Sequence, residues 1–181
     1  MKDITMRRIT PEDVPALSVM SKETFFDTFT RTCTPEDMED FLEKYYNENT
    51  LLQEVTETGI EFYFGEVNGK PVGYLSFKKE LPEFEEIKGK KVLELKRFYV
   101  SKEYHGKGIA QKMISFFIDR AINEDYDAVF LGVWEFKYRA QKFYSKHGFV
   151  LTDHKHDFPI GNTPQTDVYM FKFLNQRNHQ L

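Results

Sequence analysis

Val92-Leu93-Glu94-Leu95-Lys96-Arg97-Phe98-Tyr99-Val100, then Ser101-Lys102-Glu103-Tyr104, then His105-Gly106-Lys107-Gly108-Ile109-Ala110: the fold is decided in this run. The first nine residues read as a short apolar strand, the next four as a loop, and the last six as a Gly-x-Gly turn opening a helix. A strand that feeds such a turn is suited to holding a phosphate. Bare backbone N–H groups and the positive end of the helix dipole point at the ligand, and glycine lets the backbone come close. The strand has a second peculiarity. Leu93 and Leu95 share one face of a regular strand, and Phe98 and Val100 fall on the other. One extra residue near Lys96-Arg97, a β-bulge, returns all four to one face and parts the strand from its neighbour, opening it to an extended ligand. The competing reading is a strand that changes faces at a sheet edge.

Working outward, Ile4 to Arg8 reads as a first strand, and Thr10-Pro11-Glu12-Asp13 as a capped helix start leading to a helix that ends near Phe29. Thr34-Pro35-Glu36-Asp37 repeats the signal before a second helix with an acidic outer face. Glu61–Val67 and Pro71–Lys78 form a hairpin around Asn68-Gly69. Lys79 to Lys91, rich in glutamate, reads as an irregular excursion. After the Gly-rich turn, Ile109, Met113, Phe117 and Ala121 mark the buried face of a long helix. Asp127–Val133 is a continuous apolar strand, Phe136–His147 a helix closed by Gly148, and Phe149–Thr152 and Thr166–Phe173 the last strands. This is an α/β pattern around a mixed sheet: one domain over residues 1–174, then a polar tail, 175–181.

Composition narrows the classes. With 181 residues, 40% hydrophobic and 16% aromatic, eighteen of them phenylalanine, the chain can bury its own core. A net charge of −4 gives no basic face for nucleic acid and suits a cationic partner. Cys33 is the only cysteine, which excludes an internal disulfide. No apolar run reaches membrane-spanning length and no signal peptide opens the sequence, so a cytoplasmic location is expected. A Rossmann fingerprint needs a third glycine near the chain start, and a P-loop needs Lys-Ser/Thr after its last glycine. Neither is present.

These residues resemble the GCN5-related N-acetyltransferase (GNAT) superfamily. Its acetyl-CoA motif, Arg/Gln-x-x-Gly-x-Gly/Ala after a bulged fourth strand, is matched by His105-Gly106-Lys107-Gly108-Ile109-Ala110, with His105 in place of Arg or Gln. A second motif is similar to Trp134–Tyr144 followed by His147-Gly148-Phe149, with Lys137 where the family usually has Asn. Glu23–Phe29, Leu131–Glu135, His156–Gly161 and Gln165-Thr166-Asp167 further resemble PaiA-type spermidine/spermine N-acetyltransferases. The resemblance implies a mixed, mostly antiparallel sheet flanked by helices, acetyl-CoA as co-substrate, and direct acetyl transfer to a primary amine such as a polyamine. Two other activities stay open: acetylation of a protein or peptide amine, and a non-catalytic CoA-binding module.

The resemblance also implies roles. Tyr144 stands where the family protonates the leaving thiolate, although Phe136, Ala140, Phe143, Tyr144 and His147 also read as a core stripe. Main-chain N–H groups of Phe98, Tyr99 and Val100 would hold the developing oxyanion, and the turn from His105 to Ala110 the diphosphate. Lys137 would reach a CoA carbonyl or phosphate. Lys146 would meet a phosphate or simply sit solvated at a helix end. Glu94 and Glu135 are the carboxylates to test as base, each equally readable as a surface or structural group. Glu80, Glu83 and Glu85 are candidates, by charge alone, for the distal ammonium groups of a polyamine. His156 and the Gln165-Thr166-Asp167 turn read as substrate-pocket or sheet-closing residues. His154 and His156 alternate onto one strand face, but no third ligand is signalled, so no metal is expected. A small-molecule amine, no nucleic acid, no membrane, and a monomer or homodimer complete the expectations.

Overall fold

The structure, a computed structural model, describes residues 4–81 and 83–174; the polar tail expected at 175–181 lies outside the described residues. Seven strands form one sheet in the order β1-β2-β3-β4-β5-β7-β6. They are β1 (Ile4–Arg8), β2 (Ile60–Val67), β3 (Lys70–Glu80), β4 (Val92–Val100), β5 (Ala128–Trp134), β6 (Val150–Asp157) and β7 (Thr166–Phe173). Each adjacent pair is antiparallel except β4 and β5, which run parallel and so need a crossover. Helix α4 (Ile109–Asn123) provides it.

Helices cover both faces. On one, α4 and α5 (Tyr138–Lys146) pack over Leu93, Leu95, Leu131 and Val133, with Met113, Ile114 and Phe117 fully buried. On the other, α1 (Val14–Phe29), α2 (Pro35–Tyr46) and α3 (Glu48–Thr56) bury Phe25, Phe29, Leu51, Phe62 and Phe64. Each such aromatic, taken fully from water, contributes about 1.5–3 kcal/mol. The expected helix starts are present: the Thr10 backbone N–H donates to Asp13 at 2.9 Å, and the Asp37 N–H donates to the Thr34 hydroxyl at 3.1 Å.

Several boundaries differ from the sequence reading. Helix α3 was not anticipated; Asn47 caps it, accepting from the Thr50 N–H at 2.9 Å. Strand β3 runs on to Glu80, α5 begins at Tyr138, and β6 continues to Asp157 where a loop was expected past Thr152. The glutamate-rich excursion is a strap whose Phe84 packs among Phe130, His154, Tyr169 and Phe171, sealing a third small core around Ile87 and Val92.

The bulge is where the side-chain faces demanded it. Ser76 pairs with Arg97 and Phe77 with Leu95, so Lys96 is the inserted residue. Leu93, Leu95, Phe98 and Val100 consequently share the α4 face, and Arg97 and Tyr99 turn to the α1 face. The parallel ladder of β4 and β5 ends at the same place: its last pair is Leu95–Leu131. Beyond it the strands splay.

Candidate active site

The splay opens onto a cavity of about 330 Å³ that passes through the sheet. Phe98, Ala140 and Tyr144 line it on the α5 side. Phe25, Phe29, Tyr46, Tyr99, Trp134 and Phe158 line it on the α1 side, together with Lys137, His156 and Asp167. Strand geometry aims main-chain groups into this opening. The Ser101 N–H donates to the Val72 carbonyl at 2.9 Å, so antiparallel alternation turns Tyr99 and Arg97 toward β3 and the amides of Phe98 and Val100 away from it. The Val100 carbonyl, facing outward, bonds the His105 ring at 2.8 Å. His105 thereby ties the turn to the strand.

The turn itself needs glycine. Gly106 and Gly108 have φ of +75° and +81°, and Gly108 is the N-cap of α4. An added Cβ at either meets no atom within 4 Å, so the space above the turn is open. Unobstructed amides at the start of a fifteen-residue helix, beside a parted strand, fit a diphosphate with an extended arm. Lys107 is exposed beside it, its Nζ 5.1 Å from the Tyr104 ring, while Ile109 anchors the helix in the core and Ala110 is half-buried. Lys146 is exposed at the last turn of α5.

Asp167 is the carboxylate that the cavity holds, and sequence reasoning read it only as part of a turn. It sits on β7 opposite Trp134 of β5 and opposite His156 of β6. Its Oδ2 lies over Gly132, 3.1 Å from where a Cβ would be. Burial pushes its pKa up to about 7, against the opposing pull of the Lys137 ammonium. The alternation Asp167, Tyr169, Phe171 places the carboxylate on the same face of β7 as two aromatics, which is as much as the sequence could signal. Lys137 also lines the cavity. Its ammonium is folded into the cavity, 3.4 Å from the Thr28 hydroxyl and 5.5 Å from the Tyr99 ring centroid. Burial lowers its pKa, with Asp167 opposing.

Tyr144 is buried against Phe98 and Phe149, and burial raises its phenol above the ordinary value. His156 lines the cavity as expected. The remaining carboxylates do not. Glu94 faces the strap side, buried enough for its pKa to rise, 3.6 Å from Lys78. Glu135 pairs with Lys155 at 3.4 Å, Glu80 with Lys78, and Glu85 with Lys88 at 3.1 Å, while Glu83 is exposed. Beneath the cavity lies a buried ion pair. Arg97 donates to both oxygens of Glu54, at 2.7 and 3.0 Å, with the guanidinium over the Tyr46 ring. Burial alone would raise the Glu54 carboxyl, but Arg97 and Lys96 outweigh it and leave the pKa lowered.

Comparison with known proteins decides the family. A family model described as Acetyltransferase (GNAT) family matches residues 22–149. The chain belongs to that family. This GNAT chain is 33% identical over 174 residues to an uncharacterized N-acetyltransferase in the pepI 3′ region of Lactobacillus delbrueckii subsp. lactis, covering 96% of the chain and 99% of the relative. Among solved structures it is similar to the PaiA N-acetyltransferase of Thermoplasma acidophilum in complex with coenzyme A. There the TM-score is 0.77 at 20% identity, over 95% and 99% of the two chains. The ribosomal-protein-S18-alanine N-acetyltransferase of Escherichia coli shares the fold at a TM-score of 0.72 and 14% identity, over 99% of each. The GNAT chain is an N-acetyltransferase with acetyl-CoA as co-substrate.

Proposed function

We propose that the enzyme transfers acetyl directly from acetyl-CoA to a primary amine of a small molecule, of the polyamine class, with Asp167 as proton acceptor and Tyr144 as proton donor to the thiolate. One observation carries this reading: the parted ends of β4 and β5 open onto a single cavity that holds a carboxyl titrating near 7 and a buried phenol. An aliphatic amine has a pKa near 10.4, so at pH 7 only about one molecule in 2,500 is nucleophilic, a deficit of about 4.6 kcal/mol. A base titrating near neutrality, on the wall where the amine must approach, removes that proton where it matters.

The amides of Phe98 and Val100 would polarise the thioester carbonyl, and those from Gly106 to Ala110 would hold the diphosphate, with Lys107 near it. Aromatic walls suit a methylene chain and favour a distal ammonium by cation–π attraction. This replaces Glu80, Glu83 and Glu85 as the means of holding such a group, since those side chains lie off the cavity. A cytoplasmic enzyme agrees with the lone Cys33, and among the described residues no helix is long and apolar enough to cross a membrane.

CoA-thiol release over a panel of spermidine, spermine, amino acids and short peptides tests the reading. Turnover is expected to be fastest with the polyamines. Turnover confined to peptides would replace the acceptor class, and no release with any amine would remove the reading.

A further inference from the structure

Ala140 and Tyr144, four residues apart, share the face of α5 that lines the cavity, and Lys137, the residue that caps the start of α5, lines it as well. From Lys137 to Tyr144 is about 10 Å along the helix at 1.5 Å per residue, a span that the two side chains narrow from its ends. The Lys137 ammonium is poorly held. Among the described residues its hydrogen bonding is the 3.4 Å contact with Thr28 Oγ1, and it makes no ion pair. Lys96, the other lysine on the lining, pairs with Glu54 at 3.4 Å. An amine that, among the described residues, makes one weak hydrogen bond and no ion pair therefore stands on the cavity wall, within electrostatic reach of Asp167.

Resting on the acetyltransferase reading, we propose that Lys137 is itself an acetyl acceptor. When no amine fills the cavity, its Nζ takes the acetyl group from acetyl-CoA and the enzyme becomes Nε-acetylated there. The ammonium first gives a proton through Asp167 to solvent. The nitrogen lone pair then forms the C–N bond as the thioester C–S bond breaks. The second proton leaves nitrogen for Asp167 as Tyr144 protonates the thiolate, and Asp167 returns a proton to Tyr144. One ammonium and one acetyl-CoA give one acetamide, CoA thiol and one proton. The desolvated position favours this step, because burial lowers the cost of the neutral amine. The acetamide is no longer an activated acyl group, so the modification is a single event that leaves acetyl in the acceptor compartment. Its extent records how far acetyl-CoA outran the supply of amine.

The test is to incubate the purified full chain, freed of amines, with acetyl-CoA and follow intact mass and peptide maps over time. The expected result is one acetyl group per chain at Lys137, appearing at least tenfold faster than at exposed Lys70 or Lys142, and suppressed by the best amine of the thiol-release panel. The variant Lys137→Arg, which keeps the charge and loses the nucleophile, is expected to lose that mass increment. Absence of acetyl at Lys137, or labelling no faster than at Lys70 and Lys142, overturns the inference when the same preparation releases thiol with an amine. In that case the acetyltransferase reading stands. A preparation that neither binds acetyl-CoA nor releases thiol overturns both.

Discussion

Replacing Asp167 by Asn keeps the side chain's shape over Gly132 and removes its ability to take a proton. If Asp167 is the base, kcat/KM at pH 7 falls by about 10²- to 10⁴-fold, the range that positioned acid–base groups supply. The pH profile tells more than the loss itself. In the native enzyme kcat/KM rises with pH until the carboxylate forms, near the pKa of about 7, and then levels while the amine stays protonated. In the Asn variant that inflection disappears and the rate climbs toward the amine's own pKa, near 10. Stability supplies an independent sign. The folded carboxyl titrates at about 7 against an ordinary 3.8. Below the ordinary value both states are protonated and the full stability is present. Between there and 7 only the unfolded chain ionises, so stability falls as pH rises, by up to about 4 kcal/mol before solvent screening reduces it. The Asn variant escapes this loss and should melt higher than the native protein above pH 7, so inactivity there is not unfolding. Initial thiol-release rates from pH 5 to 10 with parallel thermal melts make the measurement. An Asn variant that keeps the inflection near 7, or loses less than about tenfold at neutrality, refutes the assignment.

Tyr144→Phe should lower kcat by about 10²-fold with calorimetric acetyl-CoA affinity unchanged; equal thiol release by both proteins counts against Tyr144 as the acid. Gly108→Ala forces a side chain into a left-handed backbone, costing about 1–2 kcal/mol, and should weaken CoA binding by calorimetry more than it lowers the melting temperature. Glu54→Gln leaves the Arg97 guanidinium, 11% exposed, without its counter-charge, and a loss on the order of 3–5 kcal/mol should appear in urea unfolding. The triple variant Glu80→Gln, Glu83→Gln, Glu85→Gln should leave the spermidine KM unchanged, because none of these side chains lines the cavity. A large rise would restore them to the acceptor site.

What could be read from the residues was whatever local pattern dictates. The faces of Leu93, Leu95, Phe98 and Val100 required an inserted residue, and Lys96 is it. The four-residue recurrence from Ile109 to Ala121 required a buried helix face, and α4 presents it. Helix α3 went unassigned, although Asn47 was a legible cap. Asp167 was missed for a physical reason. Its protonation depends on Gly132, Lys137 and Trp134, residues thirty or more positions earlier, and no local window contains that burial. Charge alone could not show pairing: Glu80, Glu85 and Glu135 were singled out as carboxylates, and packing matches them with Lys78, Lys88 and Lys155. The direction of the Lys137 side chain was not legible either: it depends on Thr28 and Tyr99, far from it in the chain, against which the ammonium rests inside the cavity.

The threading of β7 between β5 and β6 has a consequence for when the enzyme comes alive. A chain synthesised only as far as Gly148 carries the glycine turn, β4, β5 and Tyr144, but neither Asp167 nor the strand that pairs with both β5 and β6. The proposed base is therefore the last of the cavity-lining side chains to be made, after every residue proposed to hold the cofactor.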